Sequence, residues 1–237
     1  MTKIIHVKTR EEMSAIAAKM IKEQINAKPD SVLGLATGST PELTYAELCS
    51  MCERGEVDFS KVKTVNLDEY VGLDETNDQS YRYYMNSHLF DKVNIKPENT
   101  HLPCGTADNA DAACDEYSEL LEKIGTRDIQ LLGIGKNGHI GFCEPDTELE
   151  ARTSVVALTD STLKANSRFF ESVDAMPKKA MTMGMAQIFD AKQIILIAYG
   201  KEKVDIVTRA LTGKITTNIP ASLLQLHMNV TAIIADE

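Results

Sequence analysis

Ile129-Gln-Leu-Leu-Gly-Ile-Gly-Lys-Asn-Gly-His-Ile-Gly-Phe-Cys-Glu-Pro145 is the stretch of sequence from which the fold can be inferred. Its first part, residues 129–134, is a mainly apolar run that follows the charged pair Arg127-Asp128, and such a run is typical of a buried strand. Four glycines then lie within residues 133–141. Because glycine tolerates positive φ angles and the close approach of other groups, this stretch predicts a strand followed by a loop that a ligand can approach closely.

The same loop carries three polar side chains that suit proton transfer, namely Asn137, His139 and Glu144. An imidazole titrates near neutral pH, and an amide and a carboxylate follow it closely on a loop that leaves a strand. A glycine-rich loop is a weak motif by itself. On this stretch alone, an ordinary turn with an exposed histidine therefore stays open.

Strands of the same apolar kind alternate with helical segments along the rest of the chain. Strands are predicted at 4–7, 32–36, 62–67, 153–157, 193–199 and 230–235. Unbroken apolar strands between helices indicate a parallel sheet that is covered on both faces. The prediction is an α/β fold, a three-layer α/β/α arrangement around a mostly parallel, doubly wound, Rossmann-like sheet. At this length, residues 1–237 are predicted to form a single domain.

Polar segments directly follow four of these strands: Thr37-Gly-Ser-Thr40, Asp68-Glu-Tyr70, the Asn137/His139 loop and Gly200-Lys-Glu-Lys203. Ligands of parallel α/β sheets bind beyond the carboxyl ends of the strands, so these segments are expected to meet at one edge. The first segment, with Thr40 as cap and Pro41 after it, predicts a helix N-terminus that binds an anion such as phosphate. An ordinary capped turn and a solvated acidic corner stay open for the single segments. Together they predict one site with hydrogen-bond donors, a base, an imidazole and cations.

Composition and charge argue against several classes of function. The net charge of −10 disfavours a general nucleic-acid or anionic-membrane surface, and no apolar run approaches the ~18 residues of a membrane span. The chain opens on a strand pattern rather than a signal peptide, and its five cysteines are scattered, so a cytoplasmic protein is expected. Cys49 and Cys52 are interpreted as helix packing rather than a zinc site, and the methionine-rich segment 177–186 as core packing.

Four motifs occur in order along nearly the whole chain. They are Leu35-Ala-Thr-Gly-Ser-Thr-Pro41, Asn66-Leu-Asp-Glu-Tyr70, Gly133-Ile-Gly-Lys-Asn-Gly-His-Ile-Gly-Phe-Cys-Glu-Pro145 and Asn166-Ser-Arg-Phe-Phe170. These motifs resemble those of the glucosamine-6-phosphate deaminase family. The combination of Asn-Leu-Asp-Glu-Tyr with Gly-His-Ile-x-Phe-x-Glu-Pro is specific to that family, whereas the related 6-phosphogluconolactonases share the fold and a Gly-His but not the Glu-Pro ending.

The resemblance implies conversion of D-glucosamine 6-phosphate and water into D-fructose 6-phosphate and ammonia, without a metal or an organic cofactor. It implies that Asp68 is the base that takes the C2 proton of the open-chain sugar and returns it at C1. His139 would open the sugar ring, with Asn137 and Glu144 holding and tuning it. These residue types suit the tasks, because imidazole exchanges protons near neutrality and one carboxylate can reach both carbons where little water competes.

By the same resemblance, the phosphate is bound by a turn and two cations: Gly38, Ser39, Thr40, Arg168 and Lys203. Holding the phosphate far from the reacting carbons supplies the energy that orients them. A lid is expected to exclude water. Residues 151–180 are the predicted lid, since they are polar and lie between strands.

The chain departs from the family pattern at two places. Many members have aspartate where this chain has Asn137, and an amide can orient His139 but cannot share its proton. The allosteric hexamers of the family carry a basic pair and a longer tail, whereas this chain has Ser154 and Val156 at the positions of that pair. The first difference predicts that the ring-opening group is tuned differently here, and the second predicts a monomer without activation by N-acetylglucosamine 6-phosphate.

Two other functions stay open. A 6-phosphogluconolactonase of the same fold would not need a base at Asp68, so the substitution Asp68→Asn separates it from a deaminase. A non-catalytic sugar-phosphate sensor would be stabilised by its ligand without turning it over. No helix-turn-helix motif or basic recognition face accompanies the sequence in support of a regulator.

Overall fold

The computed structural model describes residues 2–159, 162–164, 170 and 176–236. Within them, the strands are β1 (Lys3–Val7), β2 (Val32–Leu35), β3 (Lys63–Asn66), β4 (Asp68–Tyr70), β5 (Thr100–His101), β6 (Ile129–Leu132), β7 (Ser154–Ala157), β8 (Lys179–Thr182), β9 (Ile194–Tyr199) and β10 (Val230–Ala235). Seven of them form a parallel sheet in the order β1-β10-β9-β6-β2-β3-β5. The other three form an antiparallel sheet in the order β4-β8-β7.

The helices of the described residues connect these strands. They are α1 (Arg10–Ala27), α2 (Glu42–Glu53), α3 (Tyr81–His88), α4 (Ala110–Ile124), α5 (Met185–Phe189) and α6 (Lys201–Thr212). 3₁₀ helices cover Phe90–Lys92, Pro97–Asn99 and Pro220–Leu226.

The parallel sheet is buried between two helical layers. Along β9, Ile195 and Ile197 pack in a cluster with α1, α2 and α3, whereas Leu196 and Ala198 pack in a cluster with α4, α5 and α6. Because side chains of a strand alternate between its two faces, an unbroken apolar run is what a sheet covered on both sides requires. The predicted three-layer α/β/α fold with a mostly parallel sheet is confirmed.

The antiparallel sheet was not predicted. Asp68-Glu-Tyr70 was interpreted as a polar segment after a strand, but it is β4, and Asp68 lies opposite Thr182 of β8. Only Leu67 separates β3 from β4. Its N–H donates to Leu35 of the parallel sheet at 3.2 Å, and its carbonyl accepts from the N–H of Met183 at 2.7 Å. The chain therefore passes from one sheet to the other within a single residue.

One local expectation was wrong. Thr40 is not the cap of α2, because Pro41 already has helical dihedral angles (φ −84°, ψ −6°) and precedes the helix without a side-chain cap. The methionine-rich segment is buried at Met181, Met183 and Met185 as expected, yet part of it is strand β8. Arg168 and most of residues 160–175 lie outside the described residues.

Candidate active site

Four polar segments follow four strands that are neighbours in the parallel sheet. The strands occur in the order β9, β6, β2 and β3, and all pairs are parallel, so their carboxyl ends lie along one edge. The segments that follow are Gly200-Lys203, the loop 133–145, the turn 37–41 and Asp68. Contacts join them: Tyr199 at the end of β9 lies 3.3 Å from Ser39, measured between Oη and Oγ. The edge predicted from the sequence exists as one continuous surface.

Asp68 is a buried carboxylate at this edge. Its residue is only 6% exposed, and in the described part of the chain no hydrogen bond reaches its side-chain oxygens. Burial, and secondarily the negative charge of Glu69, raises the pKa of Asp68 from 3.8 to about 8. A carboxylate of this kind is a stronger base than a solvated one, and the alternative of a solvated acidic corner is wrong.

Glu69 is turned to a different task. Its carboxylate accepts hydrogen bonds from the backbone N–H groups of Tyr70, Tyr81 and Arg82 at 2.8–2.9 Å. Tyr81 and Arg82 are the first two residues of α3, where N–H groups have no partner within the helix. Glu69 thus connects the start of α3 to β4 directly beside Asp68, and both of its carboxylate oxygens accept from backbone N–H groups.

In the loop 133–145, Glu144 joins the amide and the imidazole. His139 Nδ1 lies 3.3 Å from Glu144 Oε2, and Asn137 Nδ2 donates to the same oxygen at 2.6 Å. The side-chain oxygen of Asn137, Oδ1, accepts from the backbone N–H of His139 at 3.2 Å. Asn137 was expected from the sequence to hold the imidazole ring itself, but among the described residues it makes no hydrogen bond to the ring. It holds the carboxylate that faces the ring and the backbone that carries it.

The other oxygen of Glu144 is held from beyond β7. Thr159 Oγ1 donates to Oε1 at 3.2 Å, and Thr162 Oγ1 donates to it as well. Burial alone would raise the pKa of Glu144, but hydrogen bonding and charge from His139, with hydrogen bonds from Thr162 and Asn137, lower it to about 2. Glu144 is consequently ionised at any physiological pH and presents a negative charge to one side of the imidazole.

Two glycines permit this packing. A Cβ atom at Gly135 would lie 2.3 Å from the His139 ring, so the ring rests directly on the backbone of residue 135. A Cβ atom at Gly141 would lie 3.0 Å from Thr182 Oγ1 and 3.4 Å from Asp68 Oδ2. The glycines of this loop therefore bring its backbone against both the imidazole and the buried carboxylate.

The turn before α2 presents backbone N–H groups at the same edge. The carbonyl of Gly38 accepts from Tyr84 Oη at 2.7 Å, and the carbonyl of Ser39 accepts from Arg10 Nη2. Within the described residues, no acceptor bonds to the N–H groups of Gly38, Ser39 or Thr40. These donors, together with the positive end of the α2 dipole, are available to an anion.

Lys203 brings a cation to this turn. It lies in the first turn of α6, and its Nζ is 5.8 Å from the centroid of the Tyr199 ring. Burial lowers the pKa of Lys203, an effect that the Glu202 carboxylate opposes and Lys136 reinforces. A half-buried ammonium group is less well solvated than an exposed one, and an arriving anion would therefore interact with it strongly.

The described residues contain no cluster of metal ligands and no helix that could span a membrane. No three of their His, Cys, Asp and Glu side chains are grouped closely enough to coordinate a metal. Cys49 and Cys52 are free thiols on α2. Of the helices that the structure describes, none is both long enough and apolar enough to span a bilayer.

A sequence model of one protein family matches residues 8–233, almost the entire chain. That family comprises glucosamine-6-phosphate isomerases and 6-phosphogluconolactonases. The chain belongs to this family. Among curated relatives, a glucosamine-6-phosphate deaminase of Lachnoclostridium phytofermentans is 51% identical over 231 residues, which cover 98% of this chain and 98% of the relative. One of Clostridium botulinum is 52% identical over 235 residues, covering 99% and 96%.

Solved structures of the family show the same fold. The structure of a monomeric glucosamine-6-phosphate deaminase superposes with a TM-score of 0.95 at 46% identity, covering 98% of this chain and 97% of that one. A 6-phosphogluconolactonase from Thermotoga maritima superposes with a TM-score of 0.80 over the full length of both chains, but at 18% identity. At that level of identity the second likeness concerns the fold alone.

Two residues of the site escaped the sequence analysis. Arg10 begins α1 far from any motif, and only the folded chain brings it to Ser39. Tyr199 could have been found, because it is an aromatic residue with a polar end at the carboxyl terminus of an apolar strand. The rule that singled out the other edge segments applies to it equally.

Proposed function

We propose that the chain converts D-glucosamine 6-phosphate and water into D-fructose 6-phosphate and ammonia. One observation carries the proposal above all. The carboxylate of Asp68 is buried without a hydrogen-bond partner among the described residues, at the edge that also holds the His139–Glu144 pair and the free N–H groups of the turn 37–41. A base, a proton-exchanging ring and an anion site are what the isomerisation of a phosphorylated amino sugar requires.

His139 opens the sugar ring in the proposed mechanism. It moves a proton between the anomeric hydroxyl and the ring oxygen, so that the aldehyde form is released. The ionised Glu144 faces Nδ1 and favours a proton on that nitrogen, which leaves Nε2 to exchange protons with the sugar. Asn137 keeps Glu144 in place through its 2.6 Å hydrogen bond. The amide at this position thus acts through the carboxylate rather than by sharing a proton.

Asp68 then moves a proton between neighbouring carbons. Its carboxylate removes the C2 proton of the open-chain sugar and returns it to C1, while a proton passes from the C2 ammonium group to the aldehyde oxygen; this leaves a hydroxymethyl group at C1 and a protonated imine at C2. Water adds to the imine, and ammonia leaves as the ketone forms. With a pKa of about 8, roughly a tenth of Asp68 is ionised at pH 7 in the free enzyme. A substrate ammonium group at C2 favours the ionised form, so binding of the amino sugar itself prepares the base.

The phosphate binds on the turn and on the cations around it in this proposal. The N–H groups of Gly38, Ser39 and Thr40 and the Ser39 hydroxyl donate to its oxygens, and the ammonium of Lys203 adds charge. Arg168, which lies outside the described residues, is proposed as a second cation. Phosphate binding at one end of the sugar leaves C1 and C2 free to reach Asp68.

The proposed lid can be narrowed from 151–180. Its ends belong to β7 and β8, which are paired with each other and, through β8, with β4. Between these strands, Leu158, Met176 and Phe170 pack in an apolar cluster with Tyr70 and Phe142 beside the site. Residues 158–178 are therefore the part proposed to close over the substrate, although 160–161, 165–169 and 171–175 lie outside the described residues. The threonines at 159 and 162 connect this part to Glu144.

We further propose a monomer without an allosteric activator. Ser154 and Val156, at the positions of the basic pair of the allosteric hexamers, lie on β7 and carry no charge. Val156 packs against the apolar cluster around Phe142. A solved structure of the family at 46% identity is that of a monomeric deaminase. Size-exclusion chromatography with light scattering tests the assembly. A sigmoidal rate curve that N-acetylglucosamine 6-phosphate relieves would contradict the absence of an activator.

Ammonia release from glucosamine 6-phosphate by the purified protein tests the function. Release from the phosphate ester but not from glucosamine is the expected result. Asp68→Asn should abolish both ammonia release and the exchange of the C2 proton with deuterated solvent, while sugar-phosphate binding persists. Asp205→Asn, at an exposed position on α6, is the matched control and should leave both rates unchanged.

Two other outcomes would lead elsewhere. Hydrolysis of 6-phosphogluconolactone that survives Asp68→Asn, without ammonia release from the amino sugar, would identify a lactonase. Stabilisation by sugar phosphates without turnover of either compound would identify a sensor. Either result would reject the deaminase.

A further inference from the structure

Arg10 connects α1 to the turn before α2 through several contacts at once. Its Nη2 donates to the carbonyl of Ser39 and lies 3.2 Å from Glu42 Oε2. Its guanidinium carbon lies 4.7 Å from the centroid of the Tyr199 ring, within the range of a cation–π contact. The side chain is only 24% exposed. A partly buried arginine with these partners has one orientation, and that orientation fixes the carbonyl of residue 39.

Tyr199 holds the same turn from the other side of the edge. Its hydroxyl lies 3.3 Å from Ser39 Oγ, so its ring is placed between β9 and the turn. Lys203 Nζ also lies 5.8 Å from the centroid of this ring. One aromatic ring therefore contacts two cations and the hydroxyl of the turn, and the negative faces of the ring favour keeping both cations there.

The consequence for Ser39 is specific. Its carbonyl accepts from Arg10, and its hydroxyl can accept from the Tyr199 hydroxyl and still donate to a ligand, whereas its N–H has no acceptor within the described residues. Because a peptide unit is planar, fixing the carbonyl of Ser39 fixes the direction of the Thr40 N–H, and the bond from Tyr84 Oη to the carbonyl of Gly38 fixes that of the Ser39 N–H. The donors of the turn are then held in place before any ligand arrives, which reduces the entropy cost of binding an anion.

We propose that Arg10 and Tyr199 are positioning residues of the phosphate site, which orient the Ser39 turn and hold positive charge beside it. This inference rests on the proposed function for the identity of the ligand, a phosphate monoester. It concerns residues that lie outside every motif by which the family was recognised. If Arg10 and Tyr199 served only the fold, they would contribute to stability, and replacing them would leave phosphate affinity unchanged.

The experiment measures the binding of inorganic phosphate and the kinetics of glucosamine 6-phosphate in four variants. Arg10→Met removes the charge and hydrogen bonds at similar size, Tyr199→Phe removes only the hydroxyl, and Tyr199→Leu removes the ring. Arg54→Met is the control, because Arg54 is half-exposed at the end of α2 and pairs only with Glu47 and Glu56 among the described residues. Calorimetry gives the phosphate Kd, and thermal unfolding reports the stability of each variant.

Arg10→Met is expected to weaken phosphate binding about tenfold and to raise KM by the same factor, since it removes a charge-assisted hydrogen bond of the turn. Tyr199→Leu should do the same, and Tyr199→Phe should weaken binding by about threefold, the lower end for one hydrogen bond. In all three, kcat should stay within about twofold, as expected for lost ground-state binding. Arg54→Met should match the unchanged protein.

Unchanged phosphate affinity in Arg10→Met and Tyr199→Leu would overturn the proposal, even if both variants were less stable. A wild-type protein that binds no phosphate would overturn it as well. If Arg10→Met or Tyr199→Leu does not fold, Tyr199→Phe decides, because it keeps the ring. The proposed function fails separately: a protein that binds phosphate but releases no ammonia refutes the deaminase, and the phosphate Kd values still decide the roles of Arg10 and Tyr199.

Discussion

Replacing Asp68 by asparagine is expected to stabilise the protein, and to do so increasingly as the pH rises from 5 to 7. Burial and the charge of Glu69 raise the pKa of Asp68 from 3.8 to about 8. Between those two values the folded chain holds one proton more than the unfolded chain, so its free energy of unfolding falls as the pH rises. Asparagine does not titrate and removes this dependence.

The magnitude follows from the pKa difference. One pKa unit corresponds to about 1.4 kcal/mol, so the cost of keeping Asp68 buried reaches about 2 kcal/mol at pH 5 and about 4 kcal/mol at pH 7. The amide of asparagine gains or loses hydrogen bonds by an amount that does not depend on pH. The informative quantity is therefore the growth of the stability difference over this range, about 2 to 3 kcal/mol.

Urea unfolding at pH 5, 6 and 7 measures that difference. Far-UV circular dichroism suits the measurement, because the chain contains no tryptophan. Asp205→Asn, an exposed carboxylate on α6, should follow the wild type at each pH. A difference between Asp68→Asn and wild type that stays constant from pH 5 to 7 would refute the reasoning, since the carboxylate would then titrate equally in the folded and unfolded chains.

Five further outcomes are expected. The kcat/KM of the wild type should rise about tenfold between pH 7 and 9 as Asp68 ionises, and a flat profile would exclude it as the base. Glu69→Gln should move that rise to lower pH, because it removes the neighbouring negative charge, and should also weaken the start of α3; an unmoved rise would show that Glu69 does not act on Asp68. Gly135→Ala should abolish turnover but not phosphate binding, since its methyl group would lie 2.3 Å from the His139 ring, and full activity would contradict that packing. His139→Gln should lower the turnover of cyclic substrate by about a hundredfold or more, measured against C2-proton exchange of the open-chain form, which should be largely spared. Lys203→Met should raise KM about tenfold with kcat unchanged, and an unaltered KM would remove Lys203 from the phosphate site.

Six of the seven strands of the parallel sheet could be predicted from the sequence, because each falls in a stretch rich in apolar residues, whereas β5 is two polar residues long and was not predicted. An apolar run such as Ile194–Tyr199 is compatible only with burial on both faces, and alternation with helices then leaves few arrangements. The shared edge followed from the same rule, since parallel strands carry their carboxyl ends to one side. These inferences need no knowledge of which strands are neighbours.

The antiparallel sheet could not be predicted with the same ease. Its strands are three or four residues long, and Asp68-Glu-Tyr70 has the composition of a loop. The alternation of Met181 and Met183 was an available signal, because a period of two is typical of a strand. That pattern was interpreted as core packing. The interpretation is correct for the burial of these methionines, but it did not identify strand β8.

Within the site, residue types could be predicted but not their partners. The carboxylate, imidazole and amide were all expected at the edge, yet the sequence gives no means of knowing that Asn137 bonds to Glu144 rather than to the His139 ring. Glu69 and Arg10 show the same limit. Apart from the N–H of the adjacent Tyr70, their partners lie 12 or more residues away in the chain, and such contacts depend on how the layers pack.

The passage through Leu67 restricts how this scaffold can diversify. Leu67 alone joins β3 to β4, and its backbone is hydrogen-bonded on the side of each sheet. The connection therefore cannot take up a change in length. An inserted or deleted residue would turn the side chain of Asp68 to the opposite face of β4, as strands have a period of two. Insertions and deletions are thus barred from the connection itself, whereas substitutions in the neighbouring loops leave its length intact. Substrate specificity on this scaffold can therefore change through the loops around Asp68, while the connection through Leu67 keeps the position of this carboxylate fixed.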